Sequence, residues 1–261
     1  MKDAMGLGNS LAQPRSKKTK RKPNKVLKTV VLVNVFLIAL IVAIGLLTPA
    51  FYIQEINVTG VQQLTPAKVI DATNLKVGRN IFTFSKQMVK DEIAELSFVK
   101  DVKIIREYPN KVSVVVSECK PMSQVLCGES LYIVIDETGK ILDTTSESGK
   151  YGVPIIEGVF VEQFEVGNII DTRQKNSFEQ LLLIAKELSE NNMIDMVAKL
   201  SLEDGEIFLS FQKGLRCDIG EGSNSSYKIR FIKEVINQLP AGKTGTVEFI
   251  DEYKAVFKED E

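Results

Sequence analysis

Ser225, Lys228, Lys243 and Thr244 are the residues of this chain whose types and spacing come nearest to covalent chemistry. Ser225-x-x-Lys228 sets a hydroxyl and an amine one helical turn apart, and Lys243-Thr244-Gly245 follows. In acyl-transfer enzymes built on S-x-x-K and K-T-G, the serine attacks and the lysine helps to take its proton. Here Lys243 lies only 15 positions beyond Lys228, which leaves no room for the S-x-N element between them. Ser117-x-x-Lys120 repeats the four-residue pattern, as chance matches do. A helix cap followed by a glycine turn is therefore expected at this point. The chain has no histidine, so the usual base near neutral pH is missing. Cys119, Cys127 and Cys217 form no C-x-x-C and are too few for a cysteine-only zinc site. An odd count leaves at least one thiol unpaired in an exported chain, and all three are expected to act as small apolar fillers. Gly220-Glu221-Gly222 lacks the Gly-Lys-Ser/Thr that completes a phosphate loop. Glu203 and Asp204 fall in an expected turn. The expectation is a protein with no catalysis, cofactor, metal or small-molecule substrate.

The charge distribution says more than the residue chemistry does. Residues 1–28 carry nine Lys/Arg against one acid, Asp3, a net charge of +8. The remaining residues carry 24 basic and 33 acidic side chains, a net charge of −9. An acidic bulk of this kind repels phosphates and argues against nucleic-acid binding. Thr29 to Leu47 follows the basic run as 19 residues without a charge, with Asn34 the one strongly polar side chain. At about 1.5 Å per residue such a helix reaches about 28 Å, close to the hydrocarbon thickness of a bilayer. Pro49 ends it, and Phe51 and Tyr52 stand where aromatic interface anchors would sit. The basic flank predicts a cytoplasmic N-terminus. A cleaved signal peptide would have a shorter apolar run and a small-residue exit. Thr48-Pro49-Ala50 is a poor exit of that kind, so an uncleaved anchor is expected. The organisation is then a basic tail over 1–28, a transmembrane helix over 29–48, and an extracytoplasmic bulk.

Two units are expected in the bulk. In the first, 51–120, Ile53 to Val58 reads as a strand closed by Gly60. Thr65-Pro66 starts a short helix, about 66–73, and Ser85 caps a second, about 86–96. Val102 and Ile104, then Val112, Val114 and Val116, alternate as two strands about Tyr108-Pro109-Asn110. The order is β-α-α-β-β. Pro121 marks a boundary, and the second unit spans 122–258, leaving 259–261 as a C-terminal tail. Hairpins are expected about 136–139 and 204–205, with an extended piece at Pro154-Ile155-Ile156. Amphipathic helices are expected over about 173–191 and from Ser223 or Asn224 to Leu239, stopped by Pro240-Ala241-Gly242. A strand over 216–219 and a closing extended segment over 246–257 complete the unit. The fold class is α+β, with a mainly antiparallel sheet in the second unit.

This order of parts resembles the FtsQ/DivIB bacterial cell-division proteins, and the first unit resembles a POTRA domain. The residues that carry the resemblance are Ile53 to Gly60, Gly78-Arg79-Asn80-Ile81-Phe82, Phe98 to Val102 and Arg106-Glu107-Tyr108-Pro109-Asn110-Lys111-Val112. In the second unit they are Leu215 to Gly220, the helix after it and the final strand. The closing pattern departs from the family's, since Val247-Glu248-Phe249-Ile250-Asp251-Glu252-Tyr253 stands where roughly I-D-L-R-Y is usual. The resemblance implies a scaffold at the division septum that holds FtsB/DivIC-type and FtsL-type single-pass proteins. It also implies that the last strand pairs with a segment of the FtsB-type partner. A terminal strand is often a sheet edge with an unpaired row of backbone groups, and such an edge can accept an extended segment. Val247, Phe249, Ile250, Asp251, Tyr253, Ala255 and Phe257 are the expected partner-binding residues, and the first unit is expected to stay folded when they are altered. The alternative function is a membrane-anchored cell-wall enzyme, a transpeptidase or hydrolase.

Overall fold

The run of apolar residues after the basic tail forms one helix, α1 (Lys25–Leu47), which begins earlier than its charge-free stretch. The computed structural model describes residues 25–212, 214–238, 244–251 and 254–259; most of the tail expected over 1–28 and the last two residues of the one over 259–261 lie outside them. α1 is long and apolar enough to cross a membrane. Its polar side chains turn back on their own turns. Asn34 Nδ2 donates to the Val30 carbonyl at 2.8 Å and Thr29 Oγ1 donates to the Lys25 carbonyl at 3.1 Å. Such local bonds lower the cost of placing a polar side chain in apolar surroundings.

From Pro49 onward the chain forms a second compact unit. Its first lobe has the order β1 (Glu55–Thr59), α2 (Pro66–Asp71), α3 (Lys86–Ala94), β2 (Val99–Glu107), β3 (Lys111–Glu118). Both helix starts follow from side-chain capping. Thr65 Oγ1 accepts from the Lys68 N–H with Pro66 in the first turn, and Ser85 Oγ accepts from the Met88 N–H. The sheet order is β1-β3-β2, with β1 parallel and β2 antiparallel to β3. Alternate residues Val112, Val114 and Val116 of β3 face the helices and are buried with Val69, Ile81 and Ile93.

The second lobe is a nine-stranded sheet with two helices. β4 (Ser123–Cys127), β5 (Leu131–Ile135), β6 (Ile141–Thr145) and β7 (Ile155–Glu157) come first, followed by a small ribbon of β8 (Val161–Gln163) and β9 (Asp171–Thr172). Then come α4 (Lys175–Glu190), β10 (Val197–Glu203), β11 (Glu206–Phe211), β12 (Leu215–Gly220), α5 (Ser225–Gln238), β13 (Gly245–Asp251) and β14 (Lys254–Glu259). The sheet order is β14-β13-β12-β11-β10-β7-β4-β5-β6. It is mainly antiparallel, with parallel pairings of β4 and β10 to β7 and of β12 to β13. α4 and α5 pack on one another, and their apolar stripes (Phe178, Leu181, Ile184, Leu188; Ile229, Ile232) are buried in the lobe's core. Strand β4 lies outside the expected elements, because its two-residue approach from Pro121 carries no turn signal.

The two lobes share buried surface. Strand β5 is apolar on both faces. Ile133 and Ile135 enter the core beneath α4, whereas Val134, with Leu142 of β6, belongs to the core of the first lobe. A strand buried on both sides reads as a continuous apolar run rather than an alternation. Lys140 Nζ donates to the Val99 carbonyl at 3.1 Å across the same junction, and Lys100 pairs with Glu137 at 3.0 Å.

Candidate partner-binding edge

The closing segment expected as one strand over 246–257 is two strands. β13 has β12 on one side, with Cys217 opposite Val247, and β14 on the other, with Phe257 opposite Val247 and Ala255 opposite Phe249. Its backbone is therefore occupied on both flanks. The open edge belongs to β14, which ends the sheet; among the described residues no strand pairs with its outer side. The reversal was hidden by phase. Val247, Phe249, Ala255 and Phe257 face inward and all carry odd numbers, so they read as one uninterrupted alternation.

The expected binding residues divide accordingly. Val247 is 1% exposed and is a core residue. Phe249 is half-buried, with its ring edge-on to Phe231 at 5.6 Å between centroids. Ala255 and Phe257, on the edge strand itself, are half-buried against the same core. Ile250 is 64% exposed on the outer face of β13, and Asp251 stands opposite Lys254 at the mouth of the hairpin. Tyr253 lies outside the described residues. A residue that alternation did not single out completes the edge. Val256 of β14 stands opposite Glu248 and is 38% exposed on the outer face. Lys258 pairs with Glu248 at 2.5 Å beside it. The edge thus presents a backbone row, one apolar outward side chain on its own strand, and charges of both signs.

The Ser225–Lys228 pair is built into the core side of α5. Ser225 opens α5 and is 4% exposed; Lys228 is 8% exposed. The α5 turn is held by the Asn224 carbonyl, which accepts the Tyr227 and Lys228 N–H groups at 3.0 and 3.1 Å. Lys228 Nζ donates to the Ile219 carbonyl at 2.8 Å and sits 5.4 Å from the centre of the Phe249 ring. A buried ammonium needs such partners. The lysine ties α5 to the end of β12 and to the inner face of β13, and Lys243 of the K-T-G stretch lies outside the described residues.

Comparison with known proteins matches this architecture. The family model for the POTRA domain, FtsQ-type, matches residues 51–118, the first lobe. Over 240 residues the chain is 24% identical to the cell division protein DivIB of Clostridium botulinum (strain Hall), covering 91% of this chain and 93% of that protein. The chain carries an FtsQ-type POTRA domain and is similar along most of its length to FtsQ/DivIB cell-division proteins. It is also 28% identical over 172 residues to the cell division protein DivIB of Clostridium acetobutylicum, covering 64% of this chain and 68% of that protein. With the cell division protein FtsQ of Myxococcus fulvus it shares 23% identity over 196 residues, covering 75% of this chain and 68% of that protein. These similarities support a role in cell division.

The residues that carry the FtsQ-type POTRA resemblance have structural causes. Gly60 has φ +84°, and a Cβ there would meet the Val116 carbonyl oxygen at 2.0 Å. Only glycine lets the chain leave β1 so close to β3. Arg106 places its guanidinium 4.4 Å from the centre of the Phe84 ring and donates Nη2 to the Phe84 carbonyl at 2.5 Å, pinning the loop before α3 to β2. Glu118, at the end of β3, accepts three backbone N–H groups at 2.8–2.9 Å, from Gln62, Gln63 and Leu64. The only trace of it in sequence is an acid at the end of an alternating strand.

Proposed function

We propose that this chain is a non-catalytic scaffold of the division machinery that captures a partner by strand addition at β14. In this reading α1 is a single-pass anchor, the N-terminus is cytoplasmic and the bulk lies outside the membrane at the division septum. The charge-free span with its +8 flank supports that orientation. The partners are FtsB/DivIC-type and FtsL-type division proteins, as the family resemblance implies. The observation that carries the proposal is the open outer edge of Lys254–Glu259, at the end of a nine-stranded sheet. An extended segment added there gains main-chain bonds, while Val256 and Ile250 supply an apolar outer face and Glu248 and Lys258 set the charge register. The serine-enzyme alternative has less support, because the Lys228 amine is directed to a carbonyl and an aromatic ring.

Co-purification of the full-length chain with co-expressed FtsB/DivIC-type and FtsL-type proteins tests the proposal. Deleting 254–261 is expected to abolish capture of the FtsB/DivIC-type protein, and Val256→Glu to weaken it about tenfold, the effect of about 1.4 kcal/mol. Undiminished capture by a folded 254–261 deletion would sink the strand-addition reading.

A further inference from the structure

The POTRA lobe carries a cluster of exposed rings that neither its core nor the β14 edge uses. Tyr52 is 37%, Phe82 42% and Tyr108 61% exposed, and Val77 is 63% exposed at a turn tip. Three separate segments bring the Phe82 and Tyr108 rings together with that of Phe51, which also packs against the lobe's core. Phe82 lies 5.3 Å from Phe51 and 5.6 Å from Tyr108 between ring centroids. The Ile81 N–H donates to the Phe51 carbonyl at 2.9 Å, the Gly78 N–H to the Ile53 carbonyl at 2.8 Å, and Tyr52 bridges to Asn80. On the other side, the Gln54 N–H donates to the Asn110 carbonyl at 2.8 Å, which draws in the Tyr108 turn. The segment 51–54 is thus the spine of the cluster, clamped between the 77–82 loop and the β2–β3 turn.

We propose that this ring cluster is a second membrane contact, lying in the headgroup region of the bilayer that α1 crosses. The covalent chain supplies the reason for lipid. Phe51 follows Leu47, the last residue of α1, by four positions, which is about 14 Å at full extension. The polar layer of one leaflet is roughly 5–8 Å thick. The linker thus keeps the spine of the cluster within about 14 Å of the end of α1. Tyr and Phe are the side chains suited to that layer, since each offers an apolar ring and tyrosine adds a hydroxyl for water or phosphate. Charges of both signs neighbour the rings in sequence, with Lys76 and Arg79 flanking Val77 and Glu107 preceding Tyr108. The contact therefore rests on the rings and is expected to persist at high salt. Its consequence is mechanical: a second foothold limits how far the POTRA lobe tilts on its short linker.

The inference rests on reading α1 as an anchor. The chain has no tryptophan, so Tyr108→Trp and Phe82→Trp each install a single reporter in the full-length protein. Phe160→Trp, at a 52% exposed position preceding β8, serves as the control. Each is placed in nanodiscs of mixed phosphatidylcholine and phosphatidylglycerol, with and without lipids brominated near the top of the acyl chain. The expected result is blue-shifted emission and loss of intensity with brominated lipid for Tyr108→Trp and Phe82→Trp, in low and high salt, and neither change for Phe160→Trp. Iodide quenching equal to that of the control, with no effect of bromine, overturns the proposal. Shielding from both quenchers also overturns it, because a protein surface then covers the rings. Protein that separates from the nanodiscs removes the anchor itself, a failure distinct from an anchored chain with unquenched rings.

Discussion

Glu118 shows how one side chain holds a loop. A single carboxylate gathers three consecutive N–H groups of the segment between β1 and α2. Glu118→Ala leaves those donors to water or to nothing, at about 1–3 kcal/mol. The expected outcome is a lower melting temperature by thermal circular dichroism with the β14 edge intact; an unchanged melting temperature would contradict it. The thiols give a second prediction at this scale. Cys119, Cys127 and Cys217 are all free, and the first and last are buried. Burial pushes the Cys217 thiol from its ordinary value near 9 up to about 12. Burial, with a smaller contribution from Asp136, raises Cys119 as well. Between about pH 9 and about pH 12 the native Cys217 keeps a proton that the unfolded chain has lost, so its contribution to stability declines as pH rises through that window. Denaturant midpoints measured across that range are expected to fall less steeply for Cys217→Ala than for the parent chain. Tyr151 acts in the same direction, since burial and the hydrogen bond to Asp143 hold its phenol protonated to higher pH.

At the scale of elements, the last two strands do different work. β13 closes the core, because Val247 is buried and Phe249 packs between Phe231 and Lys228. β14 covers that closure with only half-buried Ala255 and Phe257. Burying a valine or phenylalanine side chain completely stabilises by about 1.5–3 kcal/mol, so removing both strands forfeits one such contribution at Val247 and part of those at Phe249 and Phe257. Deletion of 245–261 is expected to unfold the second lobe, whereas deletion of 254–261 lowers its melting temperature and leaves it folded. Equal loss of near-UV circular dichroism in the two truncations would refute this division. Proline at Phe249 would remove an N–H from β13 and disturb its pairing with β14 opposite Ala255, which confounds any binding test, so the edge strand is the place to probe. Parity showed which residues face inward but not that the chain reverses between Asp251 and Lys254, since a hairpin can preserve phase.

Across the whole molecule, the POTRA lobe is not finished at the end of β3. Its core takes Val134 and Leu142 from the β5–β6 hairpin of the second lobe, both essentially inaccessible. Leu142→Ala is expected to cost about 2–5 kcal/mol and to lower the stability of the POTRA lobe, although Leu142 lies beyond it in sequence. Hydrogen exchange of β3 amides measures this directly, and unaltered β3 protection would show the lobes to be independent. The sequence by itself determined the apolar span, the charge asymmetry, the β-α-α-β-β order and the two amphipathic helices. Each of those is written in local periodicity, capping residues or charge. Only the tertiary structure decided that β5 serves two cores, that Glu118 holds a loop more than 50 residues earlier in the chain, that rings at 51, 82 and 108 meet, and that β14 rather than β13 is the edge. These depend on which strand lies beside which, and neighbours in a sheet are chosen by long-range burial that no local pattern encodes.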